Sequence, residues 1–341
     1  MAFNFLEKKM RKITGILAGL AILMAVGIAM TGCQRTSYRE YGGMVWNTTY
    51  HIIFEGPEEL QDSIMMTLKD VEQSVSVFND SSTVAKVNSQ KETKVDRHFI
   101  TIYNLSRKIN KESGGVFDPT LAPLIEAWGF GKAHHPTADT LHIDSLLEIV
   151  GIGKTRLKNE ILKKNNENIT FNFSAIAKGY GVDCVADMLE KAGVENYLIE
   201  IGGEIRCLGH NSRGQDWLIS IDTPSETDQN LAHESLIKIS ATDAGIATSG
   251  NYRNYYETDH GRYGHTISPF TGRPVKTDVL SATVICSTAM EADALATSCM
   301  ALGSEKALQL CDSLGCGVML VGDSLRVMSN QIFDSYVKRG I

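Results

Sequence analysis

Proline is scarce in this chain, seven in 341 residues, and the 30 glycines follow no triplet or longer repeat, which excludes collagen-like and proline-rich linker architectures. No block of Lys and Arg occurs beyond the N-terminus, and the formal net charge is −7, so a general polyanion binder is excluded. The seven cysteines show no CxxC and no Cys/His spacing of a zinc site. No GxSxG elbow, HExxH helix or GxGxxG turn is present, which removes the common hydrolase, zinc-protease and dinucleotide readings. Gly151-Ile152-Gly153-Lys154-Thr155 resembles the end of a phosphate loop, but Glu148 stands where the leading glycine belongs. With 43% hydrophobic and 21% charged residues, what remains is a globular chain able to bury a large core.

Charge is also missing from residues 13–32, directly after the basic run Glu7-Lys8-Lys9-Met10-Arg11-Lys12. A basic segment followed by an apolar one marks export, although twenty uncharged residues also suffice to span a bilayer. Met30-Thr31-Gly32-Cys33 resembles the lipobox of bacterial lipoproteins. The expected organisation is a lipoprotein signal peptide over 1–32, a tether over 33–43 and one domain over 44–341. Cys33 would carry the lipid anchor and the body would face the periplasm. Loss of 1–32, with its four basic residues and one acid, takes the net charge from −7 to −10. Cys184, Cys207, Cys286, Cys299, Cys311 and Cys316 are read as structural thiols, several of them inside apolar runs; a Cys311–Cys316 bond is left open.

Apolar spacings of three and four predict helices near 58–77 and 99–112, the second ended by Gly114-Gly115. A strand is expected over 48–54 and another over 169–173, running into a helix over 178–191. Two short strands flank Gly202-Gly203, and further strands fall near 217–221, 235–240 and 279–286. Thr288 and Glu291 form a capping-box pattern for a helix over 289–302, which Gly303 ends. Helices and strands interleave without a regular rhythm, so the fold class is mixed α/β (α+β).

Three segments suggest chemistry. Asn172 to Tyr180 carries small residues into a helix start bearing Lys178, where free N–H groups and an ammonium suit a phosphate; an ordinary tight connection with a surface lysine is the plainer alternative. Asp293 and Thr297, four apart, project from one helix face, and hard cations such as Mg²⁺ take oxygen ligands of this kind. Alone, such a pair is more often solvated surface. Against that, Ala292, Ala294, Leu295 and Ala296 leave little polar outer face. Finally, His265-Thr266-Ile267-Ser268-Pro269, followed by Thr271-Gly272-Arg273-Pro274, reads as a strand end with a histidine and a turn. Thr248-Ser249-Gly250-Asn251-Tyr252 reads as another glycine turn.

In this order, and together with Gly115 to Thr120, Trp128-Gly129-Phe130-Gly131 and Ile201-Gly202-Gly203-Glu204, these segments resemble the FAD:protein FMN transferases, the ApbE family, over about Trp46 to Leu310. The resemblance implies a bilobal single-domain fold with FAD bound between the lobes. The reaction it implies is Mg²⁺-dependent transfer of FMN from FAD to a threonine of an acceptor protein, with release of AMP. The acceptors it implies are subunits of membrane redox complexes. Position by position, Ala175 (backbone carbonyl), Asp293 and Thr297 would hold Mg²⁺. Trp46, Phe78, Trp128, Gly129, Phe130, Asn172, Lys178 and Ile267 would bind FAD, and Lys178 and His265 would act in catalysis, with His265 as the base for the acceptor hydroxyl. The chain departs from the family pattern at Trp46-Asn47-Thr48, where Met-Gly-Thr is usual, at Phe78 for Tyr, at Asn172 for Asp and at Ser268 for Asp. Two rival readings stay open at this level: an FAD pyrophosphatase giving FMN and AMP, and a non-catalytic FAD-binding lipoprotein.

Overall fold

The computed structural model describes residues 37–131, 140–224, 235–250, 255–258, 261–322 and 325–338. The predicted signal peptide and Cys33 lie outside the described residues. The tether predicted over 33–43 gives way to sheet at Tyr38. Strand β1 (Tyr38–Val45) pairs along its whole length with β2 (Thr48–Glu55) through a turn in which Trp46 and Asn47 both take positive φ.

Helix α1 (Gln61–Val75) buries Ile64, Leu68, Val71 and Val75, the stripe its sequence spacing predicted. After α2 (Thr83–Asn88), α3 (Arg97–Glu112) is capped by the Asp96 carboxylate, which accepts from the His98 and Phe99 N–H groups. Helices α4 (Ala122–Ala127) and α5 (Thr140–Leu147) precede the hairpin of β3 (Thr155–Lys158) and β4 (Ile161–Lys164). Then come α6 (Ala177–Lys191), β5 (Tyr197–Ile201) and β6 (Glu204–Leu208). The hairpin β7 (Trp217–Asp222) with β8 (Ser235–Ala241) stands outside the main sheet. It is followed by β9 (Ala244–Gly250), β10 (Tyr255–Thr258), β11 (Gly261–Gly264) and β12 (Val279–Cys286). The chain continues through α7 (Ala289–Leu302), α8 (Ser304–Leu314), β13 (Gly317–Gly322), β14 (Val327–Ser329) and α9 (Gln331–Asp334).

One eight-stranded sheet, in the order β1-β2-β5-β6-β9-β12-β13-β14 and antiparallel at every pairing, organises the whole. The mixed fold class is as predicted. Against the sheet lies a core containing Phe99, Phe171, Phe173, Val284 and Leu295, with α7 buried nearly all round. A separate small core of Leu121, Leu124, Ala127, Ile143, Val150 and Ile267 supports the loops beside it.

Two sequence readings change. Residues 169–173 alternate in burial as a strand would, yet no strand forms there. The Asn88 side chain instead takes both backbone groups of Phe171, each at 2.8 Å, and the Asn172 N–H donates to the Pro119 carbonyl at 2.7 Å. The backbone is thus satisfied without a neighbouring strand. Thr248, Ser249 and Gly250 are not a turn but the end of β9, where the Thr248 and Thr283 hydroxyls meet at 2.9 Å across the ladder.

Candidate functional site

The first turn of α6 is built in an unusual way. Tyr180 N–H donates to the Ile176 carbonyl, but Gly179 N–H turns from the carbonyl four residues back and donates to Asp293 Oδ2 at 3.0 Å. Among the described residues, no backbone donor engages the Ala175 carbonyl. Glycine is required at 179 because a Cβ there would lie 2.3 Å from the Ala289 carbonyl oxygen and 2.9 Å from Asp293 Cβ. Its absence lets α6 and α7 close on each other.

Asp293 is 4% exposed, and burial raises its pKa against the pull of Lys178 and the Gly179 N–H. One turn on, the half-buried Thr297 hydroxyl meets Ser249 Oγ at 3.3 Å. The Lys178 ammonium lies against Glu204 Oε2. Burial disfavours charge on Lys178, but the carboxylates of Glu204 and Asp293 outweigh it and raise the pKa. Glu204 is 2% exposed; burial, reinforced by Asp293 and opposed by Lys178, pushes its pKa up to about 8. The turn Gly202-Gly203, both at positive φ, delivers Glu204 to this position. Two carboxylates and an ammonium thus gather where α6 and α7 meet, with the Thr297 hydroxyl one turn along α7 from Asp293. A carbonyl, a carboxylate and a hydroxyl at Ala175, Asp293 and Thr297 are the hard oxygen donors a Mg²⁺ ion takes. Among the described residues, no three of His, Cys, Asp and Glu form a metal cluster.

Trp46 leans over the same helix start: a Cβ on Gly181 would strike its ring at 2.2 Å, and its indole N–H is buried without an acceptor among the described residues. Farther along, the Asp183 carboxylate accepts from the Ala289 and Met290 N–H groups at 2.9 and 2.8 Å, anchoring the N-terminus of α7.

A second group sits on the small core. Trp128 donates its indole N–H to the Gly272 carbonyl at 2.7 Å, Gly129 takes positive φ, and the Phe130 ring meets His265 edge-on at 6.3 Å. Ile267 is buried beneath them and bridges to Pro274. Phe270 of this loop touches Gly115, and Pro119 holds Asn172, so the segment 115–121 links the two groups. Phe78 is 68% exposed on the loop after α1, and no described contact joins it to either group.

Two departures from the family pattern find a local reason. Asn172 Oδ1 accepts from the Ser174 N–H at 2.9 Å, and Ser268 Oγ accepts from the Phe270 and Thr271 N–H groups, each at 3.3 Å. Both turns need an acceptor oxygen, which an amide or a hydroxyl supplies as a carboxylate would. The loop at 151–155 holds no free cradle either, since Gly151 N–H donates to Thr120 Oγ1 and Ile152 N–H to Asp118 Oδ2.

Of the residues the sequence singled out, the structure brings Lys178 and Asp293 together, with Thr297 one turn along the same helix; the sequence reading gave no role to Glu204, Asp183 or Ser249. A buried acid directly after two glycines was the available signal for Glu204. Asp183 and Ser249 carried none beyond their place in quoted segments.

An antiparallel sheet carrying α6 and α7, with an acid–lysine pair at their contact, is the class of fold that solved flavin transferases share. Residues 46–320 match the ApbE family, and the chain belongs to it. It is 34% identical over 314 residues to the FAD:protein FMN transferase of Vibrio cholerae, covering 88% of this chain and 92% of that one. It is 33% identical to the protein of the same name from Haemophilus influenzae, covering 91% and 92%. The solved flavin transferase ApbE from Vibrio cholerae superposes with a TM-score of 0.78 at 32% identity, over 88% of this chain and 99% of that one. The apo flavinyl transferase ApbE of Pseudomonas stutzeri does so at 0.80 and 28%, over 91% and 100%.

Proposed function

We propose that this protein is an FAD:protein FMN transferase that moves FMN from FAD to a threonine hydroxyl of an acceptor protein and releases AMP. The observation that carries the reading is the cluster at the α6–α7 contact, where Gly179 N–H is given to Asp293 rather than to the Ala175 carbonyl and Lys178 lies against Glu204. Ala175, Asp293 and Thr297 would hold Mg²⁺, which when bound draws charge from pyrophosphate oxygens. Lys178 exchanges its partner Glu204 for a phosphate oxygen and offsets the charge that grows on the leaving side. His265, its ring set against Phe130, takes the proton from the attacking threonine hydroxyl. Trp46, Trp128, Gly129, Phe130, Asn172 and Ile267 line the nucleotide, and Phe78 is assigned to it by its place in the family pattern alone. Positioning and charge neutralisation, the chief demands of this chemistry, are what these residues supply.

The protein acts as a periplasm-facing lipoprotein held through Cys33, on the same face as acceptor subunits of membrane redox complexes. The basic run 7–12, the uncharged stretch 13–32 and the Met30 to Cys33 sequence support this placement.

The test incubates the protein with FAD, Mg²⁺ and a candidate acceptor domain, then records acceptor mass and in-gel flavin fluorescence. An FMN adduct that disappears with EDTA and in Asp293→Asn is expected. FMN and AMP accumulating without an adduct would replace transfer by hydrolysis, and FAD bound unchanged would reduce the protein to a carrier.

A further inference from the structure

Four of the six cysteines in the described domain gather where β12, α7, α8 and β13 meet, a cluster with no part in flavin transfer. Cys286 ends β12, and Cys316 stands immediately before β13. The register Val284 to Val318 and Ile285 to Gly317 sets Cys286 directly opposite Cys316. Their sulfurs are 2.9 Å apart, whereas the neighbouring pair, Cys299 and Cys311, stands at 3.6 Å. Directly opposed residues of an antiparallel pair have Cα atoms about 4.5 or 5.5 Å apart, inside the range a disulfide spans.

We propose that Cys286 and Cys316 are a covalent modification site: an intramolecular disulfide that staples β12 to β13 at the foot of α7. The donor is a disulfide, either of a small thiol such as glutathione or of a thiol–disulfide oxidoreductase. Cys316 thiolate attacks one donor sulfur and releases the first donor thiol. Cys286 thiolate then attacks Cys316 Sγ in the mixed disulfide and releases the second. Two protons leave the cysteines, which lose two electrons as the donor becomes two thiols. Cys286 and Cys316 are each less than a tenth exposed, and Cys299 and Cys311 are fully buried, so oxidation belongs to the folding chain rather than to the finished surface.

The staple closes a loop of 30 residues that contains all of α7. Cys286 lies two residues before Thr288, whose hydroxyl caps α7, so the bond fixes the root of the helix carrying Asp293 and Thr297. The pairing rests on strand register alone and stands whatever the protein's reaction. The oxidising compartment proposed above would supply the donor.

The whole chain is denatured and reduced, refolded in a glutathione redox buffer, alkylated, and cleaved at Glu291, Lys306 and Asp312, which puts the four cysteines on four fragments. A Cys286–Cys316 linkage is expected, with Cys299 and Cys311 alkylated. Adding reductant then lowers the melting temperature of the wild type by several degrees and leaves that of the Cys286→Ser, Cys316→Ser double variant unchanged. Alkylation of all four cysteines in the refolded wild type, or a Cys299–Cys311 linkage in place of the expected one, would overturn the proposal. The wild-type map decides even where the double variant fails to fold.

Discussion

Glu204 is held almost out of reach of water, and its neighbours explain how it stays there. The Lys178 ammonium compensates it, while Asp293 adds a second negative charge that one lysine shares with both. Glu204 gives up its proton only as pH rises through about 8, so Glu204→Gln should raise the Mg²⁺ concentration needed for half-maximal flavin transfer several-fold at about pH 9, on the order of 1 kcal/mol, and little near pH 7. A Mg²⁺ titration of turnover checks this, and an unchanged midpoint would separate Glu204 from the cation's field. His265→Ala should flatten the acid limb of the pH–rate profile and lower turnover about 10²-fold, measured by adduct formation from pH 5 to 9. At this scale Lys178, Asp293 and Thr297 were legible because their chemistry matches their spacing. Glu204 was not, since its partner Lys178 opens a helix 26 residues earlier in the chain and no local pattern announces the pairing. Asn172 and Ser268 read as losses of charge in the sequence. In the fold they are turn residues that each use one acceptor oxygen.

The contact between α6 and α7 depends on a missing side chain. Gly179→Ala would drive a methyl group into the Ala289 carbonyl, and the helices must part by more than a few tenths of an ångström. A loss of about 1–3 kcal/mol is expected, read by urea unfolding, together with weaker Mg²⁺ dependence as Asp293 loses the Gly179 N–H. Asp183, which anchors α7, has a folded-state pKa raised by burial from 3.8 to about 6, against the pull of the Met290 and Ala289 N–H groups. The folded state therefore holds this proton more tightly than the unfolded one. The resulting stability is full below about pH 4 and is lost as pH rises through about 6, a change on the order of 2 kcal/mol. Asp183→Asn should remove that component from the pH dependence of unfolding.

The helices were the most legible elements. The apolar spacing in α1 and α3, the Thr288 cap and Gly303 all appear where predicted. Residues 169–173 misled because alternation reports burial, not pairing, and the Asn88 side chain took the place of a strand. Residues 38–43 were read as tether because β1 buries little and shows its pairing only against β2.

For the molecule as a whole, the class of fold was legible and the topology was not. Nothing local tells β6 to pass over the β7–β8 hairpin and pair with β9, a choice made by the burial of both neighbours. The proposed anchor has its own test. Cys33→Ser should abolish incorporation of labelled fatty acid, while activity on soluble acceptor persists.

The pairing of β2 with β5 carries one more consequence. Tyr50 finds Ile201, and Phe54 finds Tyr197, so each partner is synthesised more than 140 residues later. During synthesis the β1–β2 hairpin therefore waits with one rim bare, and the central sheet cannot close until most of the chain exists. Closing such distant contacts makes folding slow, which would suit the export proposed above by leaving the nascent polypeptide unfolded for longer.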